Sequence, residues 1–404
     1  MKITESGEQT LVIEQWTGTW AASAAAPTYF IPVEFMPQPV AVQGTIHYRL
    51  RVSAGGSRVR LRLSNDTGDQ PLHIGAASIG LAADNYASNR EGTVRQVTFG
   101  QGKSTRILSG AAVVSDPIDL QVAHLGDLIV SLYLPHSFVP AQGGDTHKAA
   151  LSAGVDATMT VAWPDATSIS ARPIITALTV VPSRPTRAIV TLGDSITDGS
   201  TDGIGCMPFS FRGWPDILAQ RLRARADANV NQVAYSVVNA GIGGNRLLND
   251  FIGPHALARL DRDVFATPGT SHLIVFEGVN DIGIGGRTIN DKVHPIVTAD
   301  ELIVAYLQII ERAHEQGIRV IGGTLPPFRD AFYFLEEKEP LRQTVNKWIR
   351  EARAFDGLID FDQVLHDPRD PSRLRTDFDT GDHLHPNAVA FRAMGEAINL
   401  GLFE

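Results

Sequence analysis

The stretch "VVPSRPTRAIVTLGDSITDG", residues 180–199, is where the chain changes rhythm. Pro182, Ser183 and Pro185 sit between apolar runs, the composition of a connecting segment. The run that follows, Ala188 to Leu192, stops at Gly193 and gives way to polar residues around Ser195. A short apolar run ended by a glycine reads as a buried strand, and the polar residues after it as a turn into a helix.

Downstream the same unit repeats. "SVVNAG" (236–241), "HLIVFEG" (272–278), "IRVIGG" (318–323) and "GLIDFD" (357–362) are further apolar strand candidates. Between them, "WPDILAQRLRAR" (214–225), "ADELIVAYLQIIERAHEQ" (299–316) and "EPLRQTVNKWIREARAF" (339–355) carry helical spacing, with Pro215 and Pro340 near helix starts. Alternating strands and helices predict a parallel sheet covered by helices, with ligands bound outside the carboxyl ends of its strands.

Upstream the period is two. In "TIHYRLRVSAGGSRVRLRLSN" (45–65), Ile46, Tyr48, Leu50 and Val52 face one way, and Val59, Leu61 and Leu63 match them across a glycine-bearing turn. This predicts a hairpin. "RQVTFG" (95–100), "LIVSLYL" (128–134), "ATMTVAW" (157–163) and "IITALTVV" (174–181) add strand candidates, so an antiparallel sandwich or jelly roll is expected. The other face of the expected hairpin carries His47, Arg49, Arg51, Arg58, Arg60 and Arg62, read as a solvated face screened by carboxylates. At 404 residues the chain exceeds one ordinary core, and two domains are expected, 1–184 and 185–404.

Composition excludes several classes. A net charge of -9 argues against a generic nucleic-acid binder, which needs a clustered cationic surface. One cysteine, Cys206, excludes an intramolecular disulfide and a Cys-rich zinc site, and nothing basic flanks it to activate the thiol. No apolar run is long enough to span a bilayer. "MKITESGEQTLVIEQW" (1–16) has no signal-like apolar region, so the chain is expected to be cytoplasmic or a secreted protein whose signal has been removed.

The strand-end loops carry the chemistry. Ser195 follows the first strand of the second half; its alternative role is to cap a helix. Gly244 lies in "NAGIGGNR" (239–246), which resembles a dinucleotide fingerprint only in part, because Arg246 stands at the third glycine position. Asn280 lies in "EGVNDIG" (277–283), where Asp281 is placed to brace the loop. After the fifth strand comes "DFDTGDHLHP" (377–386). Asp382 and His385 are three apart, so both project to one side of a tight turn, and a carboxylate there can hold the imidazole by one nitrogen. Pro386 then suits the first position of a final helix. Asp377, Asp379 and His383 could instead ligate a metal, but no ligand-spacing pattern organises them. Acyl transfer needs a nucleophile, a base held by an acid, and oxyanion donors. Ser195, His385 and Asp382 fill the first roles; the backbone N–H groups of Ser195 and Gly244 and the Asn280 side chain are the candidate donors.

"GDS" around Ser195, Gly244 in "GIGGN", "GVND" around Asn280 and "DHLH" with Asp382 and His385 together resemble the SGNH hydrolases, the GDSL esterase family. Isoleucine at 196 replaces the leucine of that name. The resemblance spans roughly residues 187–402 and implies a flavodoxin-like α/β/α sandwich and a serine mechanism without metal or cofactor. It implies small-molecule or carbohydrate ester substrates, short acetyl groups foremost. Lysophospholipase, lipase, aryl esterase and acyltransferase are alternatives, and an inactive sugar-binding scaffold is the non-enzymatic one. Asp194, Asn245 and Phe328 (in "TLPPF") are candidate substrate contacts, Phe328 with the alternative of a core aromatic. "DGIGCMPFSF" (202–211) reads as an entrance loop.

Overall fold

The computed structural model describes residues 14–29, 38–84, 88–144, 146–199, 213–229 and 231–404. Cys206, the 202–211 loop and most of the N-terminal stretch read above lie outside these residues.

The N-terminal part is an antiparallel sandwich. One sheet runs Thr17–Ala21, Ile175–Val180, Gly56–Ser64, with Ala112–Val114 and Ile118–Val122 beside the last. The other is ordered Thr167–Ser170, Lys148–Ala153, Val42–Arg51, Asp127–Phe138, Ala76–Leu81, Arg95–Gln96. Their inner faces share one core that includes Ile46, Tyr48, Leu50, Val59, Leu61, Leu63, Val130 and Leu178.

The expected hairpin does not form. Val42–Arg51 pairs with Asp127–Phe138 and Lys148–Ala153, whereas Gly56–Ser64 pairs with Ile175–Val180. The residues between carry the chain from one sheet to the other, so the apolar rows meet across the core. Alternation specifies which face is inward, and two strands facing across a sandwich satisfy it as well as two hydrogen-bonded neighbours do. "ATMTVAW" is turns, and of "RQVTFG" only Arg95–Gln96 is strand. Among the cationic positions, Arg49 and Arg51 both pair with Asp127 at 2.8 Å, Arg58 pairs with Glu14 and Asp119, and Arg60 lies over the Trp16 ring. His47 is buried and stacked on Trp163.

The second part is a parallel sheet of β1 (Thr186–Gly193), β2 (Ala234–Gly241), β3 (Thr270–Phe276), β4 (Arg319–Gly323) and β5 (Gly357–Ile359), in the order β2-β1-β3-β4-β5. That is the flavodoxin-like order. After β1 come the single turn α1 (Ser195–Asp198) and then α2 (Trp214–Ala228); after β3 come α3 (Val279–Ile284) and α4 (Ala299–Glu315). After β4 comes α5 (Glu339–Glu351), and α6 (Ala388–Ala397) closes the fold. Alternate strand residues enter two cores. Val190, Leu192, Leu273 and Val320 pack under α4 and α5, and Ile189, Ile274 and Ile321 pack with α2 and α6. The result is three layers.

The two parts touch along β2. Thr17–Ala21 packs beside it, the Ser236 hydroxyl donates to the Gly18 carbonyl at 2.6 Å, and the Val237 N–H donates to the Ser53 hydroxyl at 3.0 Å. Among the described residues, no helix is long and apolar enough to cross a membrane.

Candidate active site

β1 delivers Ser195 to the carboxyl edge of the sheet. Asp194, not Ser195, caps α1: its Oδ1 accepts the Ile196 N–H at 2.9 Å. The serine hydroxyl is thereby left for another partner, and Oγ lies 2.8 Å from Nε2 of His385.

The "DFDTGDHLHP" stretch is two nested turns built by aspartates. Asp382 Oδ1 accepts the N–H groups of Leu384 and His385 at 2.9 and 2.8 Å and the Thr380 hydroxyl at 3.0 Å. Its Oδ2 lies 2.5 Å from His385 Nδ1. With the ring proton on Nδ1, facing the carboxylate, Nε2 is the acceptor turned to Ser195. Burial would raise the Asp382 pKa, but the hydrogen bond and charge of His385, with the amides of 384 and 385, outweigh it and hold the group well below the carboxylate range. Asp379 makes the outer turn, accepting the Gly381 and His383 N–H groups and holding His383 Nδ1 at 2.6 Å. Asp377 pairs with Arg375. The final helix starts at Ala388, later than Pro386 suggested. Asn387 is its cap, accepting from Val389 and Ala390 while its Nδ2 donates to the Asp377 carbonyl. A side chain that satisfies a helix end and closes the turn outcompetes proline at the first helical position.

The candidate oxyanion donors come from the next two strand ends. Gly244 has φ +68°, and a Cβ there would lie 2.5 Å from Ile252 Cδ1. Asn280, in the first turn of α3, is buried and fixed at both ends. Its Nδ2 donates one hydrogen to the Asn245 carbonyl at 3.0 Å, and its Oδ1 accepts the Tyr333 hydroxyl at 3.1 Å. The second amide hydrogen is left over. Asp281 braces the loop, accepting the N–H groups of Leu247 and Leu248 at 2.6 and 3.0 Å.

Beneath the site lies buried charge. Arg259 donates to the carbonyls of Gly193 and Ala240 and to Asn245 Oδ1. Glu277 lies 3.7 Å from it, beyond hydrogen-bond reach. Desolvation, and then repulsion from Asp194, push the Glu277 pKa well up; desolvation raises Asp194 to about 7 and Asp281 to about 6. The candidate substrate contacts fare differently from the expectation. Asp194 and Asn245 are buried and bonded within the protein, Asn245 to Pro254 and Arg259. Phe328 is fully buried against Tyr333 and Phe334, the place of a core aromatic. Among the described residues, no three His, Cys, Asp or Glu side chains are grouped as metal ligands.

Residues 191–393 match the family model described as the GDSL-like lipase/acylhydrolase family. The chain belongs to that family. Solved structures with similar folds include an acetyl xylan esterase variant from Geobacillus stearothermophilus, at 20% identity and TM-score 0.39, covering 52% of this chain and 92% of that one. A GDSL-like lipase from Bacteroides thetaiotaomicron is 16% identical with TM-score 0.38, covering 54% of this chain and 88% of that one. No curated protein matches.

For this member of the GDSL-like acylhydrolases, sequence reasoning missed Tyr333, Arg259 and Asn387. Tyr333 and Arg259 are isolated polar residues whose partners, Asn280 for the first and Gly193, Ala240 and Asn245 for the second, are distant in the chain, so no local pattern announces them. Asn387 alone carried a usable signal, an asparagine just before a helical run.

Proposed function

We infer from the family membership that the protein is an ester hydrolase in the broad sense. We propose that it is a serine esterase working through Ser195, His385 and Asp382, with short-chain acyl esters, acetyl groups on carbohydrates foremost, as substrates. The observation that supports this reading is the continuous relay from Ser195 Oγ to His385 Nε2 at 2.8 Å and from His385 Nδ1 to Asp382 at 2.5 Å. The preference for acetyl rests on the resemblance to the SGNH hydrolases, many members of which remove acetyl groups from carbohydrates.

In the proposed cycle, His385 takes the Ser195 proton as Oγ attacks the ester carbonyl. The carbonyl oxygen becomes an anion, met by the N–H groups of Ser195 and Gly244 and the remaining amide hydrogen of Asn280. His385 then gives its proton to the departing alcohol, leaving the acyl group on Ser195. Water, deprotonated by the same imidazole, releases the acid. Asp382 stays ionised, its carboxylate stabilising the imidazolium formed in each half.

The test is Ser195→Ala assayed on p-nitrophenyl esters from acetate to palmitate and on acetylated xylan fragments. Loss of all hydrolysis with an unchanged melting temperature is expected, together with a wild-type optimum at acetate. Hydrolysis surviving the substitution overturns the mechanism, and a long-chain optimum replaces the acetyl reading with a lipase or lysophospholipase. Acyl transfer to added alcohols in place of hydrolysis would identify an acyltransferase.

A further inference from the structure

The β sandwich reaches the nucleophile turn directly. Arg172, between the strands Thr167–Ser170 and Ile175–Val180, is buried, and its three guanidinium nitrogens donate in three directions. Nη1 donates to Asp198 Oδ2 at 2.9 Å, Nη2 to the Gly241 carbonyl at 2.7 Å, and Nε to the Ser23 carbonyl at 2.6 Å. Asp198 ends α1, one turn after Ser195, and Gly241 ends β2, where the loop carrying Gly244 begins. His147 Nε2 lies 3.2 Å from the other Asp198 oxygen. The Thr146 hydroxyl donates to the Gly199 carbonyl at 2.6 Å, and the Gly199 N–H in turn donates to the Ser195 carbonyl at 2.8 Å.

These contacts bear on catalysis because α1 is a four-residue turn. So short a helix has almost no internal stiffness, and its orientation is set by what its ends are tied to. Asp198 is nearly fully buried, and a buried carboxylate is stable only when paired. The guanidinium is a rigid planar fork, so it fixes the direction of that pairing as well as its existence. Arg172 is itself anchored: its N–H donates to the Ala141 carbonyl at 2.8 Å, and its carbonyl accepts the Tyr48 hydroxyl from the sandwich core. Close packing leaves no slack. A Cβ on Gly241 would lie 2.2 Å from the Asp198 backbone nitrogen.

We propose that Arg172 is a positioning residue of the esterase: through Asp198 and Gly241 the β sandwich sets the angle at which Ser195 meets His385 and holds the Gly244 loop in register with it. This rests on Ser195 being the nucleophile. The sandwich is then part of the catalytic apparatus and not an appended binding module.

The test compares Arg172→Met, Arg172→Lys and Asp198→Asn in the full chain, reading kcat, KM, the rate of Ser195 labelling by a fluorophosphonate, and the melting temperature. Ile79→Ala, a core truncation in the sandwich away from this contact, controls for simple destabilisation. Arg172→Met is expected to lower kcat by about 10–100-fold, the scale of a slight misplacement of reacting groups, with KM within about threefold and labelling slowed in parallel. Arg172→Lys should recover part of the rate, and the Arg172→Met/Asp198→Asn double variant should lose no more than the worse single. Unchanged kcat in Arg172→Met, or an equal loss in Ile79→Ala, overturns the proposal. If Arg172→Met does not fold, Thr146→Val decides: it removes only the Gly199 contact, and an unchanged labelling rate overturns the proposal. Ser195→Ala run alongside keeps the two readings apart, since hydrolysis surviving that change overturns the nucleophile assignment instead.

Discussion

Ser195 Oγ and His385 Nε2 meet at 2.8 Å although 190 residues of chain separate them. The contact is made by topology. Ser195 lies just past the end of β1, an inner strand of the sheet, and the turn holding His385 enters after the last strand, so both arrive at the carboxyl edge of one sheet. On such an edge a proton can pass between groups that share no local sequence.

Asp382→Asn tests the acid. The amide cannot favour the imidazolium, so kcat is expected to fall by about 10⁴-fold with the fold intact. Stability carries a second signature. The Asp382 pKa is depressed in the fold, so its contribution is present above the unfolded value of about 3.9 and is lost as pH falls below it. The melting-temperature gap between wild type and variant should therefore narrow below about pH 4. Wild-type kcat in the variant would refute the assignment.

Asn280→Ala removes a candidate oxyanion donor and is expected to cost about 10²–10³ in kcat with KM little changed. Tyr333→Phe leaves the amide in place but frees its carbonyl end, and the loss should be about fivefold, the worth of one net hydrogen bond. Equal effects in the two variants would mean that Asn280 acts through the fold and not on the oxyanion.

Glu277→Gln tests the buried charge. The Glu277 pKa is raised in the fold, so between its unfolded value of about 4.3 and the folded one the native state holds the proton that the unfolded chain releases. Stability from this group therefore falls as pH rises through that window, and Asp194 and Asp281 act in the same sense. The melting temperature of Glu277→Gln relative to wild type should rise from pH 5 to pH 8. Parallel pH curves would remove the explanation.

His383 and Asp379 form a second pair beside the first, with His383 at φ +63° and half exposed. If this pair serves only the turn, His383→Asn should retain most of the activity. Exhaustive chelation should leave the wild-type rate unchanged. Loss of activity restored by zinc or manganese would revive the metal reading of "DFDTGDHLHP".

The parallel sheet and its strand-end residues were legible because each strand is a short buried run and each candidate residue follows one. Ser195, Asn280 and the Asp382–His385 spacing are local patterns of this kind. The sandwich was legible as a class but not in its pairing, because Ile46 and Leu61 point inward whichever strands hydrogen-bond. Arg172, Tyr333 and Arg259 were invisible for another reason. Their meaning lies in a distant carboxylate, amide or carbonyl, and a single polar residue in a strand or loop looks the same whether it is exposed or buried against a site.

The strand Thr17–Ala21 lies along β2, the outermost strand of the parallel sheet, whose residues are nearly all buried. Separated at 184/185, the second half would present that strand as a bare apolar edge, a template for pairing with other chains. Such a fragment is expected to self-associate before any question of its activity arises.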